Sequence, residues 1–196
     1  MPKQSLPPQY FDNMYEQDPD PWQFASSDYE RKKYLETIHA LPKSRYDYGL
    51  EVGCSIGVLT EMLAPYCKQL LSIDASELPL RQARERLKDQ PHVCIAPMRI
   101  PEVLPEQAFD LILISEVGYY WSHEDLAAVQ AYISKALLPG GHLLLVHWTP
   151  YVEDYPLTGD EVHEAFSVFA QTSQQLTHLR HQRHEQYRLD LWEANF

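Results

Sequence analysis

The stretch Tyr48-Gly-Leu-Glu-Val-Gly-Cys-Ser-Ile-Gly-Val-Leu-Thr60 narrows the folds open to this chain more than any other. Its first half reads as a buried strand, and Gly53 to Gly57 make a tight turn. From Val58 the apolar residues Leu59, Met62, Leu63 and Tyr66 fall at helical spacing. A strand that turns sharply through small residues into a helix lets a ligand approach the backbone. It also leaves the first helical N–H groups unpaired. Such a turn is an anchoring site for a cofactor.

The spacing of the glycines narrows the choice of cofactor. From Gly53 the series reads Gly, Cys, Ser, Ile, Gly, Val, whereas a nicotinamide or flavin dinucleotide requires G-x-G-x-x-G. A Walker loop fails as well, because no Gly-Lys-Ser/Thr follows. The pattern that fits is E-x-G-x-x-x-G, running from Glu51 through Gly53 to Gly57. Asp74 closes the next strand, 17 residues beyond Gly57, where a carboxylate can accept hydrogen bonds from ribose hydroxyls.

Around this turn, strands and helices alternate. Residues 1–26 are aromatic and proline-rich and read as an ordered arm or short helix. Ser27 with Glu30 forms a capping box for a helix that stops at Pro42. Strands are expected at Tyr46–Val52, Leu70–Ile73, His92–Ala96, Phe109–Ile114 and His142–Trp148. Helices follow Ser76, the Ser122–Asp125 box and the Thr158–Glu161 box, and Pro139-Gly140-Gly141 ends the second of these. The tail alternates, with Tyr187, Leu189 and Leu191 on one side and Arg188, Asp190 and Trp192 on the other, as in terminal antiparallel strands. The fold class is therefore α/β, a Rossmann-like, doubly wound, mostly parallel sheet. It is read as one domain over 1–196, with an arm and helix at 1–44 covering a core at 45–196. Ligands of such sheets bind beyond the carboxyl ends of the strands.

Composition removes other classes. A net charge of −12 argues against a nucleic-acid partner, since phosphate affinity needs a basic surface. No run is apolar enough to span a membrane, and the N-terminus lacks the apolar core of a secretory signal. A cytoplasmic protein is expected, and nothing in the sequence indicates its oligomeric state. Cys54, Cys67 and Cys94 lack metal-ligand spacing, and the nine histidines form no H-E-x-x-H pattern, so no metal is predicted.

The turn with Asp74 resembles the first two motifs of class I S-adenosylmethionine-dependent methyltransferases. Phe109-Asp110-Leu111-Ile112 with Ser115-Glu116-Val117, and Leu138-Pro139-Gly140-Gly141 before a strand, recur in the same superfamily. Asp18-Pro19-Asp20-Pro21-Trp22 with Tyr29-Glu30-Arg31-Lys32-Lys33-Tyr34 is similar to the nodulation-protein-S (NodS-like) family, whose members methylate an amine on an aminosugar oligosaccharide. The likeness covers residues 10 to about 170. It implies S-adenosylmethionine as cofactor, with S-adenosylhomocysteine as product and a small molecule as methyl acceptor. It implies that Glu51, Gly53, Cys54, Ser55 and Gly57 form the cofactor turn and that Asp74 holds the ribose. Ala75 would then lie beside the adenine. Ser55 departs from the commonest pattern but stays small. No acidic residue follows the third strand, so Met98 would pack on the base, with its N–H toward a ring nitrogen. Ser115 and Glu116 would face the sulfonium. Trp22, Tyr29 and Arg31 could close over the cofactor, Arg31 by pairing with its carboxylate.

Methyl transfer to an amine needs alignment and a deprotonated nucleophile. Glu116 ends the fourth strand and His147 the fifth, so both are expected at one cleft, with His147 as base and Glu116 orienting. Tyr119 and Tyr120, with Trp121, offer faces for a sugar ring or a cation. Asp154 and Tyr155 lie on the following loop as substrate contacts, with His163 on the next helix. Two other readings stay open: a sensor or scaffold that binds the cofactor without turnover, and an O-methyltransferase. An NAD-dependent dehydrogenase is disfavoured by the glycine spacing.

Overall fold

The computed structural model describes residues 3–195, which form two compact units, 7–99 and 3–6 with 100–195. The first runs α1 (Pro8–Gln17), α2 (Asp28–His39), β1 (Tyr46–Val52), α3 (Val58–Leu63), β2 (Cys67–Asp74), α4 (Glu77–Arg86) and β3 (Val93–Pro97). β2 lies between β1 and β3 and is parallel to both. It begins three residues before its apolar run, because pairing with β1 starts at Tyr46 opposite Cys67. Leu50, Leu63, Leu70, Ile73 and Leu80 form the buried core of this unit. Ser27 caps α2 by accepting the Glu30 N–H, but the reciprocal half of the box does not form. The Glu30 carboxylate accepts from Lys33 Nζ at 3.0 Å instead.

The second unit runs β4 (Phe109–Ser115), α5 (His123–Ala136), β5 (Leu137–Trp148), α6 (Gly159–Ser173), β6 (Leu176–Arg183) and β7 (Tyr187–Ala194). Its strand order is β4-β5-β7-β6. β4 and β5 are parallel, and the other pairs are antiparallel. The Pro139-Gly140-Gly141 turn lies inside β5 rather than before it. Phe109 faces Leu137 and Leu111 faces His142, so the extra residues of β5 bulge out through Gly140 at φ +67°.

β7 also departs from the alternating reading. It lies between β5 and β6, and Asp190 and Trp192 are as buried as Leu189 and Leu191. Trp192 packs against Phe166 of α6 and stacks on His178. β6 takes the edge and leaves Thr177, His178, Leu179, Arg180 and His181 exposed. Among the described residues, no helix is long and apolar enough to cross a membrane. Among the same described residues, no group of three or more His, Cys, Asp or Glu is placed to hold a metal ion.

Two caps anchor the helices of this unit. Ser122 Oγ accepts the Asp125 N–H at 3.1 Å. Ser5 then inserts into that box, accepting the Ser122 N–H at 2.7 Å and donating to the Asp125 carboxylate. The Thr158–Glu161 box closes in both directions, at 3.2 Å and 2.7 Å. Behind it, a Cβ on Gly159 would lie 2.1 Å from the Trp148 carbonyl oxygen, so only glycine lets α6 begin against the end of β5. Gly159→Ala should therefore cost about 3 kcal/mol or more in urea unfolding, through overpacking against rigid backbone. Thr158→Ala, which removes only the cap, should cost about 1 kcal/mol.

Candidate active site

The glycine turn holds three residues in the left-handed region, Gly53 at φ +85°, Ser55 at +49° and Gly57 at +80°. Glycine accepts this without strain, whereas Ser55 needs compensation of about 1 kcal/mol. Its compensation is visible on both sides. Ser55 N donates to Asp74 Oδ2 at 3.0 Å, and its hydroxyl meets the Tyr15 hydroxyl at 2.5 Å. Asp74 Oδ1 accepts the Ser76 N–H, also at 3.0 Å. One carboxylate is thus held by an amide from the turn and another from the start of α4. Burial raises the Asp74 pKa, and the two amides oppose that rise.

α1 lies on this turn and on α4. Besides the Tyr15 contact, Ser76 Oγ donates to Asp12 Oδ1 at 2.5 Å. Trp22 meets Tyr15 edge-on at 5.5 Å and stacks on Phe24. Trp22 therefore sits one ring away from the turn, while Arg31 stands exposed on α2. Tyr15 and Asp12 were not singled out from the sequence. The aromatic arm was the available signal, but a contact to Ser55 depends on how α1 docks.

Three amides that the sequence reading left open to a ligand have protein partners. Gly53 N and Cys54 N both donate to the Ile73 carbonyl, at 2.8 and 3.0 Å. The Met98 N–H, expected to reach an adenine nitrogen, donates to the Asp74 carbonyl at 2.8 Å. Ala75 and Met98 remain partly exposed next to Asp74. Cys54 is buried, and burial together with the Asp74 charge holds its thiol well above the usual range, so it is protonated. Glu51 is buried at the end of β1 and accepts from Ser72 Oγ at 2.7 Å. Burial pushes its carboxyl up to about 7, against the pull of that hydrogen bond.

In the second unit, Ser115 is buried at the end of β4 and Glu116 follows it at φ +57°. Glu116 N donates to the Val146 carbonyl. Its Oε2 accepts from the Tyr119 hydroxyl at 2.5 Å and from Trp148 N at 2.9 Å. Burial and the Glu116 charge keep the Tyr119 hydroxyl protonated. Tyr119 lies in a 3-10 turn, Gly118–Tyr120, and stacks on Tyr155 at 5.0 Å. Tyr120 meets both rings edge-on at 4.7 and 4.8 Å. Lys3 Nζ holds the Tyr155 carbonyl at 2.8 Å. Asp154 is exposed beside this cluster.

His147, expected as the base, lies near the end of β5. It is fully buried. Its Nε2 accepts the Gly118 N–H at 3.0 Å, and its Nδ1 lies 3.0 Å from His163 Nε2. Both ring nitrogens are engaged with protein. Gly118, not singled out from the sequence, makes this possible, since a Cβ there would lie 2.9 Å from His147 Nε2.

With this geometry in view, likenesses to known proteins become informative. A family model described as Nodulation protein S (NodS) matches residues 12–147. Nodulation protein S of Sinorhizobium fredii strain NGR234 is 33% identical over 129 residues, 64% of this chain and 59% of that protein. The Rhizobium tropici protein of the same name is also 33% identical over 129 residues, 64% of this chain and 53% of its own length. The chain thus spans little more than half the length of these relatives. The crystal structure of the N-methyltransferase NodS from Bradyrhizobium japonicum WM9, in complex with S-adenosylhomocysteine, superposes with a TM-score of 0.78 at 26% identity. The match covers 95% of this chain and 97% of that one. The fold is the Rossmann-like, mostly parallel class I methyltransferase type.

The raised Glu51 carboxyl has a measurable consequence. The folded protein holds this proton while the unfolded chain releases it above the ordinary carboxyl range. Stability is therefore lost as pH rises from about 4.5 to about 7 and stays lower above that. Each unit is worth about 1.4 kcal/mol. Glu51→Gln should raise stability by up to about 3 kcal/mol at pH 8 and leave it unchanged at pH 4, as read from thermal unfolding at the two pH values.

Proposed function

The chain belongs to the nodulation protein S family, and from that premise we propose that it is an S-adenosylmethionine-dependent methyltransferase. Its acceptor would be the nitrogen of a small-molecule amine of the aminosugar-oligosaccharide class. The observation that carries this reading is the Asp74 carboxylate, held between the Ser55 and Ser76 amides beside a turn with three left-handed residues. A carboxylate has about four lone-pair sites, so one fixed by two amides can still accept from a pair of vicinal hydroxyls. The NodS structure with S-adenosylhomocysteine supports the same cofactor.

In this reading Gly53, Cys54, Ser55 and Gly57 line the cofactor turn with backbone, and Asp74 accepts from the ribose. Ala75 and Met98 flank the base. Glu51 lies beneath the turn, and Trp22 and Arg31 belong to the covering arm. The cofactor supplies a methyl group carried on a sulfonium, which leaves as a neutral thioether. What the protein must add is orientation, exclusion of water and a place for the amine proton. Glu116 suits that last task. Its carboxyl group, held by the Tyr119 hydroxyl and the Trp148 N–H, is placed to attract an ammonium group and to accept its proton. Ser115 lies at its base. Tyr119, Tyr120 and Tyr155 offer an aromatic wall for a sugar face, with Asp154 at its exposed margin. The engaged nitrogens of His147 suit it to holding the Gly118 turn. Cys54, Cys67 and Cys94 are thiols rather than disulfides, which suits the cytoplasm.

Titration calorimetry of the full chain with S-adenosylhomocysteine should show binding, and Asp74→Ala should weaken it about tenfold or more. Incubation with S-adenosylmethionine and a glucosamine oligosaccharide should transfer methyl to nitrogen. Absence of binding would sink the whole reading. Binding with no consumption of S-adenosylmethionine across amines and hydroxyl acceptors would leave a cofactor-binding protein instead.

A further inference from the structure

Behind the tyrosine cluster lies a buried polar chain, of which the reaction outlined above uses His147 alone. We infer that Asp190 is a positioning residue for Glu116 and the tyrosine cluster of the second unit, acting through His163 and His147 on the Gly118 amide; the inference rests on the methyltransferase reading. Asp190 Oδ2 lies 2.6 Å from His163 Nδ1, and His163 Nε2 lies 3.0 Å from His147 Nδ1. His147 Nε2 then lies 3.0 Å from Gly118 N. Both imidazoles and the carboxylate are fully buried. β7, α6, β5 and the 3-10 turn each contribute one member.

The direction of every hydrogen bond in this chain is fixed from its two ends. A backbone N–H can only donate, so His147 Nε2 must carry the lone pair. A neutral His147 then has its proton on Nδ1 and donates it to His163 Nε2. His163 keeps its own proton on Nδ1 and donates to Asp190. The carboxylate at the far end can only accept while ionised. It remains so because His178 Nε2, His181 Nδ1 and Arg188 Nε also lie within 2.7, 2.9 and 2.6 Å. Burial lowers the pKa of His163, which agrees with a neutral ring.

Stability alone does not call for this arrangement, since buried ionic groups can often be replaced by apolar residues at no cost. What the chain specifies is which nitrogen of His147 is bare, and hence where the Gly118 amide is held. Gly118 begins the turn that carries Tyr119, and the Tyr119 hydroxyl holds Glu116 at 2.5 Å. The approach is close enough that a Cβ at 118 would also strike Val162 at 2.6 Å. Asp190 thereby governs the orientation of Glu116 without touching the reacting atoms.

The test uses Asp190→Asn in the full chain. Asparagine can turn its NH2 toward His163 and reverse both tautomers, which would bring an Nε2–H against the Gly118 N–H. Long-range 1H–15N spectra of the histidine rings should show His147 protonated at Nδ1 in the wild type and at Nε2 in the variant. With S-adenosylmethionine and a glucosamine oligosaccharide, kcat should fall about tenfold or more. S-adenosylhomocysteine affinity, by calorimetry, should stay within about twofold, a split that general loss of structure would not produce. Should Asp190→Asn not fold, His163→Phe keeps the ring volume, removes the relay and should show the same split. A wild-type His147 protonated at Nε2 overturns the relay outright. Where Asp190→Asn keeps the tautomer by turning its Oδ1 to His163, His163→Phe decides. An unchanged kcat in His163→Phe overturns the positioning role, as does an altered tautomer with unchanged kcat. If the wild type binds S-adenosylhomocysteine but methylates no amine, the amine reading fails and the positioning role with it, whereas the tautomer measurement still judges the hydrogen-bond chain by itself.

Discussion

A carboxylate that accepts hydrogen bonds from two stretches of backbone cannot move without moving both. Asp74 does this for the first unit, joining the residue after Cys54 to the residue that caps α4. The left-handed conformation of Ser55, the docking of α1 through Tyr15 and the capping of α4 by Ser76 all converge on it. The turn after β1 is therefore fixed from both sides, through its main chain by Asp74 and through the Ser55 hydroxyl by Tyr15.

The second unit solves a related problem with side chains. Asp190 is buried yet ionised, because four donors surround it and outweigh the loss of hydration. Glu51 is buried with few partners and retains its proton to near neutrality. The same residue class is driven in opposite directions by the number of donors within reach. Net acidity of the chain says nothing about either, since both effects are set within a few ångströms.

The strand–turn–helix around Gly53 and the pairing with Asp74 were legible because they are local. Each is written in a short run of residues with fixed backbone needs. β1, α5, α6 and the Thr158 box were legible for the same reason. What stayed hidden depended on contacts distant in sequence. Glu30 and Asp125 sit at capping-box positions, but Lys33 and Ser5 take their carboxylates. β7 alternates like a half-exposed strand, yet it is flanked on both sides. Trp192 on its apparently polar side was the available hint. His147 was visible as a strand-end histidine, but nothing local reveals that Gly118 occupies its Nε2 or that His163 and Asp190 stand behind it.

The outer strand of the second unit carries a consequence of a different kind. β6 offers one unpaired edge, and an edge of that length invites another strand to add to it. The side chains displayed along it are His178, Arg180, His181 and Arg183, with Leu179 the only large apolar one exposed. On a chain that is acidic overall, this places the guanidinium groups of Arg180 and Arg183 where a second copy would dock its own identical strand. Like charges would then face each other across the new ladder. His178 and His181 thus belong to two features at once, the outer edge of the sheet and the set of donors around Asp190.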